Sequence, residues 1–251
     1  MNTKAVYSTK AEKYAKYRWD YAASAIETIF DITQLSTNSS LAELGAGTGI
    51  LTQHFAGKVE RVYAIEPNRE MRQILADRFE SVPSISVMDT CAEDTKLPTK
   101  SVDVITVAQS IHWFDPGLAR SEMLRILKNH GWLVILRNYS TDEELNKAIG
   151  KLMTEEYGVD FSASSPKLKE KPIHYYYGNN SYQRTIHPFQ FQQSWEEFIG
   201  AMLSASYMPD ENNPLYQKLE DEAGNIFSLH SKGGHLSVHG ETELFIGQPS
   251  S

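Results

Sequence analysis

The stretch LAELGAGTGI at positions 41–50 decides the fold of this chain. A short apolar run is followed by three glycines at alternate positions, Gly45, Gly47 and Gly49. Glycine lacks a Cβ atom, so its backbone reaches left-handed conformations and a ligand can come close to the main chain. The pattern predicts a strand, a tight turn that faces a ligand, and a helix that begins near Thr48 or Gly49.

Strand-like and helix-like patterns alternate through the first 140 residues. Short β-branched or apolar runs predict strands at 41–44, 61–65, 84–88, 102–107 and 132–137. The segments between them have helical periodicity, with Asn68 and Asp115 as predicted N-caps. Leu118, Leu124 and Leu127 are assigned to the helix that follows Asp115. This alternation is typical of an α/β fold, in which helices cover both faces of a parallel sheet.

The pattern changes after residue 137. A helix is predicted near 142–157 and a polar loop at 162–171, while HYYYG at 174–178 is predicted either to shape a pocket or to form a strand. Ser194 and Glu197 have the spacing of a capping box, so a helix is predicted from there to about Ser204. A last strand is predicted at 241–247.

Composition narrows the class of protein. The 251 residues are 41% hydrophobic and carry a formal net charge of −8, which repels nucleic-acid phosphates on average. We therefore expect no nucleic-acid partner, and the apolar runs are too short to predict a membrane span. A single cysteine excludes an internal disulfide framework, and the N-terminal residues lack the apolar core of a secretory signal. A cytoplasmic protein is the expectation.

The spacing of the glycines separates several nucleotide-binding motifs. A dinucleotide fingerprint, G-x-G-x-x-G, needs a third glycine at position 50, where this chain has Ile50. A Walker loop needs a G-K-[ST] sequence, which does not follow here. Glu66, 21 residues after Gly45, is placed to accept hydrogen bonds from both hydroxyls of a ribose. A tight turn that binds no ligand is the alternative.

Four segments together resemble the class I methyltransferases that use S-adenosylmethionine. They are YAKYRWDYAASAIETIF (14–30), LAELGAGTGILTQHFA (41–56), VYAIEPNREMRQILA (62–76) and CAEDTKLPTKSVDVITVAQSIHWFD (91–115). The chain is similar to the branch that methylates small molecules, which includes trans-aconitate methyltransferase. The resemblance implies a Rossmann-like, doubly wound sheet of seven strands in the order 3-2-1-4-5-7-6, with helices on both faces and a small cap.

The resemblance also implies how the chain is divided. Residues 1–251 are expected to form a single methyltransferase domain. Its parts are expected to be an N-terminal lid at about 1–30, a donor-binding core at about 31–138, a cap at about 139–182 and C-terminal core elements at about 183–251. Monomer and homodimer both stay open.

By the same resemblance, the cofactor is S-adenosylmethionine and its product is S-adenosylhomocysteine. The residues expected to bind the cofactor are Gly45, Ala46, Gly47, Glu66, Pro67, Cys91, Ala92, Gln109 and Arg18. Cys91 stands where the family often has an acid, so the hydrogen bond to the adenine amino group is expected from Asp94, Glu93 or the backbone. Arg18 is expected to pair with a carboxylate of the cofactor or of the acceptor.

The expected acceptor is a small molecule with an oxygen nucleophile, such as a carboxylate or a hydroxyl. The residues expected to bind it are Tyr14, Tyr17, Trp113 and Tyr176. For Tyr14 and Tyr17, the alternative role is to pack an amphipathic helix onto the sheet. For Trp113, the alternative role is core packing. His112 is the predicted general base, and its alternative role is to fix the following loop through a hydrogen bond.

Other functions stay open from sequence. Methylation of nitrogen or carbon is one alternative, and a non-catalytic module that only binds S-adenosylmethionine is another. No metal is expected, because the histidines lack the paired spacing of a metal site.

Overall fold

The computed structural model describes residues 10–158, 171–205, 208 and 213–250. Their strands are β1 (Ser40–Leu44), β2 (Arg61–Ile65), β3 (Ile85–Met88), β4 (Val102–Ala108), β5 (Leu127–Ser140), β6 (Tyr182–Gln193) and β7 (Leu236–Gly247). These strands form one sheet in the order β3-β2-β1-β4-β5-β7-β6, which confirms the order that the resemblance implied. The first five strands are parallel, and β7 is antiparallel to both of its neighbours.

The register places the carboxyl ends of the central strands at one edge of the sheet. The last residue of β1, Leu44, pairs with Ile65, the last residue of β2. The last residue of β4, Ala108, pairs with Leu136 near the end of β5. Ligands of open α/β sheets bind at this edge, so the register brings together the segments that follow β1, β2 and β4.

Helices cover both faces of the sheet. They are α1 (Ala11–Tyr17), α2 (Ala23–Thr33), α3 (Arg69–Phe79), α4 (Pro116–Ile126), α5 (Glu143–Lys151), α6 (His174–Tyr177), α7 (Trp195–Leu203) and α8 (Tyr216–His230). The predicted caps are confirmed: Asn68 accepts a hydrogen bond from the Met71 N–H, and Asp115 accepts one from Leu118. Ser194 and Glu197 form the predicted reciprocal capping box at the start of α7.

Alternation along β1 separates two hydrophobic cores. Leu41 packs with Ile26 and Ile29 of α2 on one face of the sheet. Ala42 and Leu44 point to the other face, where the core also contains residues of α4 and α6. Successive strand residues point to opposite faces, so one short strand contributes to both cores.

Two local predictions are wrong. No α-helix begins near Thr48 or Gly49; the chain forms a 3₁₀ turn at Thr52–His54 instead. Gly49 has φ +86° and Gly57 has φ +69°, so left-handed residues bound the segment on both sides, and the segment between them forms only this short turn. Leu127 begins β5 rather than ending α4. Leu118 belongs to α4 as predicted, but its side chain is 61% exposed, and Met123 and Ile126 are on the buried face of the helix.

Residues 174–178 do not form the strand that was one of their two predicted alternatives. His174–Tyr177 form the short helix α6, not a strand. Tyr176 and Tyr177 are buried in the main core under this helix. The polar loop predicted at 162–171 lies outside the described residues, apart from Lys171.

The cap is assembled from more distant parts of the chain than the expected segment 139–182. Its hydrophobic cluster joins residues of α5, such as Leu145, with Phe198 of α7, Leu219 of α8 and Leu236 of β7. Helices α7 and α8, expected in the C-terminal core, therefore pack with α5, while α6 packs on the sheet.

We predict that Gly49→Ala destabilises the protein more than Gly57→Ala. A Cβ at Gly49 would lie 2.6 Å from Phe79 Cε2 and 2.7 Å from Leu75 Cδ1, whereas a Cβ at Gly57 would meet nothing within 4 Å. Both residues have a positive φ, so both alanines are strained by about 1 kcal/mol, and overpacking adds about 2 kcal/mol at position 49 alone. Urea unfolding of the two variants measures the difference; equal losses would contradict the packing argument.

Candidate functional site

The turn after β1 is fixed to the end of β2. The backbone N–H groups of Gly45 and Ala46 both donate to the carbonyl of Ile65, at 2.9 Å. Gly45 has φ +72°, and a Cβ there would lie 2.6 Å from the Cβ of Ser110. The Ser110 hydroxyl donates to the carbonyl of Leu44 at 2.8 Å. The glycine at position 45 is therefore required by the close approach of the segment after β4.

Gly47 differs from the other two glycines of the motif. It has φ +59°, and a Cβ there would have its nearest neighbours, Met71 Sδ and Tyr14 Cε1, at 4.0 Å. Gly45 and Gly49 are crowded by protein atoms, whereas the space beside Gly47 is open. This glycine leaves bare main chain facing a cavity.

Glu66 follows β2 directly and is only 6% exposed. One carboxylate oxygen accepts the N–H of Gly47 at 2.8 Å, and the other accepts the N–H of Asn68 at 2.8 Å. Burial raises the pKa of Glu66, and these two N–H groups oppose that rise because they stabilise the charged form. Each carboxylate oxygen has a second lone pair, so the acid can still accept hydrogen bonds from a ligand.

A second acid of the motif, Glu43, is fully buried beneath the turn. The Thr52 hydroxyl donates to its carboxyl at 2.7 Å. Burial raises the pKa of Glu43 to about 8. This residue ties β1 to the 3₁₀ turn and does not line the cavity described next.

A cavity of about 320 Å³ lies at the edge where β1, β2 and β4 end. It brings together most of the predicted site residues, namely Tyr14, Gly45, Gly47, Glu66, Pro67, Cys91, Ala92, Gln109 and Trp113. Glu66 gives the cavity an acidic side, while Tyr14, Trp113 and Met71 give it an aromatic and apolar one. The volume is within the range of small-molecule sites.

Gln109 is held in an unusual conformation at the end of β4. Its φ is +54°, which is uncommon for a residue other than glycine. Its backbone N–H donates to the carbonyl of Leu136 at 3.1 Å, and its side-chain amide donates to the carbonyl of Asn138 at 3.0 Å. Two contacts with β5 therefore fix a residue that the resemblance assigned to cofactor binding.

Several predicted site residues do not line this cavity. Ala46 belongs to the turn, but its side chain packs in a small core with Leu75 and Phe79. Tyr176 is buried in the main core. Burial raises the pKa of Tyr176 to about 12, so its hydroxyl stays protonated.

Tyr17 packs on the cap instead. Its ring occupies the space above Gly200 of α7, where a Cβ would lie 2.4 Å from the ring. Its hydroxyl donates to Glu196 at 2.8 Å. These contacts agree with the alternative role of this tyrosine, which is to pack an amphipathic helix.

Arg18 and His112 lie near the cavity without lining it. The guanidinium of Arg18 lies 5.0 Å from the ring centroid of Tyr14. The ring of His112 lies 4.8 Å from that of Trp113. Burial lowers the pKa of His112 to about 4, so this imidazole is neutral at physiological pH.

Several lining residues were not predicted as site residues from the sequence, namely Asn68, Met71, Ala108, Ser110 and Asp115. Asn68 and Asp115 were predicted only as helix caps, although a cap at the sheet edge also faces the ligand crevice. Glu93 accepts the N–H of Asp115 at 2.8 Å, which places both acids on the same side of the cavity. Ser110 had no local signal, because its role depends on contact with the distant turn.

The cavity combines an acid, bare main chain and apolar walls. Glu66 can accept further hydrogen bonds, because its carboxylate is buried at the cavity wall and has spare lone pairs. Ala92, Glu93 and Asp115 line the same cavity. Gly47 leaves room for a group that lies against the main chain. Within the described residues, no group of His, Cys, Asp or Glu side chains is arranged to hold a metal ion.

Comparison with known proteins agrees with this geometry. Residues 42–135 match the family model of the methyltransferase domain. An uncharacterised methyltransferase of Schizosaccharomyces pombe is 30% identical over 133 residues, which cover 53% of this chain and 52% of that protein. The chain thus spans about half the length of the curated relatives that it matches.

Solved structures show the same fold. A protein described as a type II methyltransferase of Anaeromyxobacter dehalogenans has a TM-score of 0.68 at 19% identity, covering 93% of this chain and 100% of that one. A protein described as an S-adenosyl-L-methionine-dependent methyltransferase of Methanococcus maripaludis has a TM-score of 0.54 at 17% identity, covering 74% of this chain and 90% of that one. Residues 42–135, which match the methyltransferase family model, carry most of the residues that line the cavity.

Proposed function

We propose that this chain transfers a methyl group from S-adenosylmethionine to a small-molecule acceptor. One observation carries the proposal: buried Glu66 and the open side of Gly47 face the same cavity. This cavity lies within a methyltransferase domain. The acceptor atom that we propose is an oxygen, as in a carboxylate.

The donor would be held by main chain and acid together. Glu66 would bind the ribose hydroxyls, and the segment Cys91–Glu93 with Asp115 would surround the adenine. Gly45, Gly47 and Gln109 would lie beside the methionine part, and Tyr14 would cover it. S-adenosylmethionine supplies a methyl group already activated on a sulfonium.

The protein's contribution to the reaction is positioning. The acceptor lone pair must be held in line with the bond that breaks, and such orientation supplies on the order of several kcal/mol. The aromatic side chains Tyr14, Trp113 and Phe114 line this cavity. With donor and acceptor bound they would exclude water, which makes an oxygen nucleophile more reactive.

The state of His112 favours an acceptor that has no proton to lose. An imidazole whose pKa is about 4 is a weak base, and His112 does not line the cavity. A carboxylate is already ionised at neutral pH and needs no general base, whereas a hydroxyl does. This comparison supports a carboxylate over an alcohol.

The net charge and the helices indicate whether nucleic acid or a membrane is a suitable partner. The net charge of −8 disfavours binding of nucleic acid. Among the described residues, every helix is too short or too polar to cross a membrane. We therefore propose a small metabolite as the partner.

Glu66→Ala is predicted to weaken donor binding by about thirtyfold or more. Loss of the charged acceptor removes about 2 kcal/mol of hydrogen bonding to the ribose. Calorimetric titration with S-adenosylmethionine measures the effect. The matched control is Glu70→Ala, an exposed acid in the first turn of α3, which should bind as wild type. Circular dichroism checks that both variants are folded. Equal binding by wild type and Glu66→Ala would refute the proposed donor site.

We predict that His112→Asn makes the free energy of unfolding depend less on pH between pH 7 and pH 5. Burial lowers the pKa of this imidazole from its ordinary 6.5 to about 4 in the folded protein, so the unfolded chain binds more protons between these values. The free energy of unfolding of the wild type should therefore fall by about 2 kcal/mol between pH 7 and pH 5, and the variant should not show this fall. Unfolding at both pH values measures this difference, and parallel pH profiles would contradict it. Donor affinity should change by less than about twofold, because His112 does not line the cavity.

Methyl transfer itself is tested with isotopically labelled donor. A panel of carboxylates, phenols and amines is incubated with the protein, and labelled products are identified by mass spectrometry. We expect a methyl ester whose formation is lost in Glu66→Ala. Labelled amines or C-methylated products, with no labelled ester, would refute the oxygen acceptor but not the donor site.

A further inference from the structure

A second cavity, of about 350 Å³, lies on the face of the sheet formed by β5, β7 and β6. Its polar residues are Arg137, His174, Arg184 and Glu243. None of its lining residues lines the cavity beside Gly47 and Glu66, which we call the donor cavity. The proposed methyl transfer therefore leaves these charges without a role.

Glu243 is the centre of this charged group. It belongs to β7 and is only 3% exposed. Arg137, its partner in the β5 register, donates from Nε to one carboxylate oxygen at 3.0 Å, and its Nη2 contacts the same oxygen. Arg184 on β6 donates from Nε to the other oxygen at 2.6 Å. Each oxygen of the buried acid thus has its own guanidinium.

The two arginines have more hydrogen-bonding capacity than Glu243 uses. The three side chains together carry a net charge of +1. A guanidinium has five N–H donors. Within the described residues, no hydrogen bond involves the two Nη atoms of Arg184 or the Nη1 atom of Arg137. The Arg184 side chain is 56% exposed, so its free donors are accessible.

The remaining walls are apolar and aromatic. Tyr182 and Phe245 pack edge to face, with ring centroids 5.9 Å apart. Arg137 lies over the ring of Phe245, 5.2 Å from its centroid. Pro172 and Ile173 complete the lining. These walls suit the organic body of a ligand better than a fully hydrated inorganic ion.

We propose that this second cavity binds a small organic carboxylate. A guanidinium matches the two oxygens of a carboxylate in a planar, bidentate way. A single negative charge would balance the net charge of the Arg137, Glu243 and Arg184 group, whereas a phosphate dianion would exceed it. The aromatic rings would pack against the body of the ligand.

The position of Arg137 connects this cavity to the donor cavity. Arg137 lies between Leu136 and Asn138, whose carbonyl oxygens accept the two hydrogen bonds from Gln109. The carboxylate would therefore bind one strand away from the wall of the donor cavity. Because the two cavities share no lining residue, a carboxylate held here is an effector and not the group that is methylated.

Benzoate is the probe, and its binding is measured by saturation-transfer NMR without any methyl donor. We expect Arg184→Gln to weaken binding about tenfold, because it removes a charged bidentate donor. Benzamide, which has the same shape without the charge, should bind at least about tenfold more weakly than benzoate. The matched control is Arg61→Gln, which removes another exposed strand arginine, one that donates to Ser86. This control should bind benzoate as wild type does.

Binding that is equal in Arg184→Gln and wild type would overturn the proposal, as would equal binding of benzamide and benzoate. Competition by inorganic phosphate at the same concentration as benzoate would overturn the choice of a carboxylate. Addition of labelled S-adenosylmethionine then tests the role as an effector: any labelled methyl ester should form equally in wild type and Arg184→Gln, and loss of the ester in Arg184→Gln would show that the bound carboxylate is the acceptor. The binding result stands without methyl transfer, so failure of the proposed function and failure of this inference are distinguishable.

Discussion

The carboxylate of Glu66 holds together the three pieces of chain on which the donor cavity depends. Glu66 itself follows β2, and it accepts one N–H from the turn after β1 and another from the residue that caps α3. A buried carboxylate without such donors would be strongly destabilising. Both donors are backbone groups, so the register of β1 and β2 fixes where the acid points. The acid and the bare main chain at Gly47 are thus placed relative to each other before a ligand arrives, which lowers the cost of binding.

The alternating glycines satisfy three separate constraints. Gly45 makes room for Ser110, and Gly49 makes room for Leu75 and Phe79. Gly47 alone leaves open space beside the cavity. A single motif therefore combines packing of the turn on the segment after β4, packing on α3, and access for a ligand. All three glycines are left-handed, so no α-helix begins within the motif itself, and a 3₁₀ turn follows at Thr52–His54.

Strand β5 lines the second cavity through Arg137 and contacts the donor cavity through its hydrogen bonds with Gln109. Its carbonyl groups at Leu136 and Asn138 hold Gln109 at the donor cavity, and the side chain between them, Arg137, points to Glu243 on β7. The antiparallel insertion of β7 between β5 and β6 makes this possible, because it places one acid between arginines from two neighbouring strands. Two guanidiniums thus contact one buried acid, and removal of either arginine would leave that acid less compensated.

The sequence by itself did not predict β6 or α8, but it determined the positions of the other six described strands, the starts of α3, α4, α5 and α7, the caps, and the spacing of Glu66 from the glycine turn. These features depend on residues a few positions apart or on the regular periods of strands and helices. The strand order came from the family resemblance and not from spacing. Tertiary structure alone decided which predicted site residues meet. It turned Tyr17 toward Glu196, 179 positions away, buried Tyr176 in the core, and joined Arg137 to Glu243 across 106 positions. Such contacts depend on packing between distant segments, which local pattern and propensity do not specify.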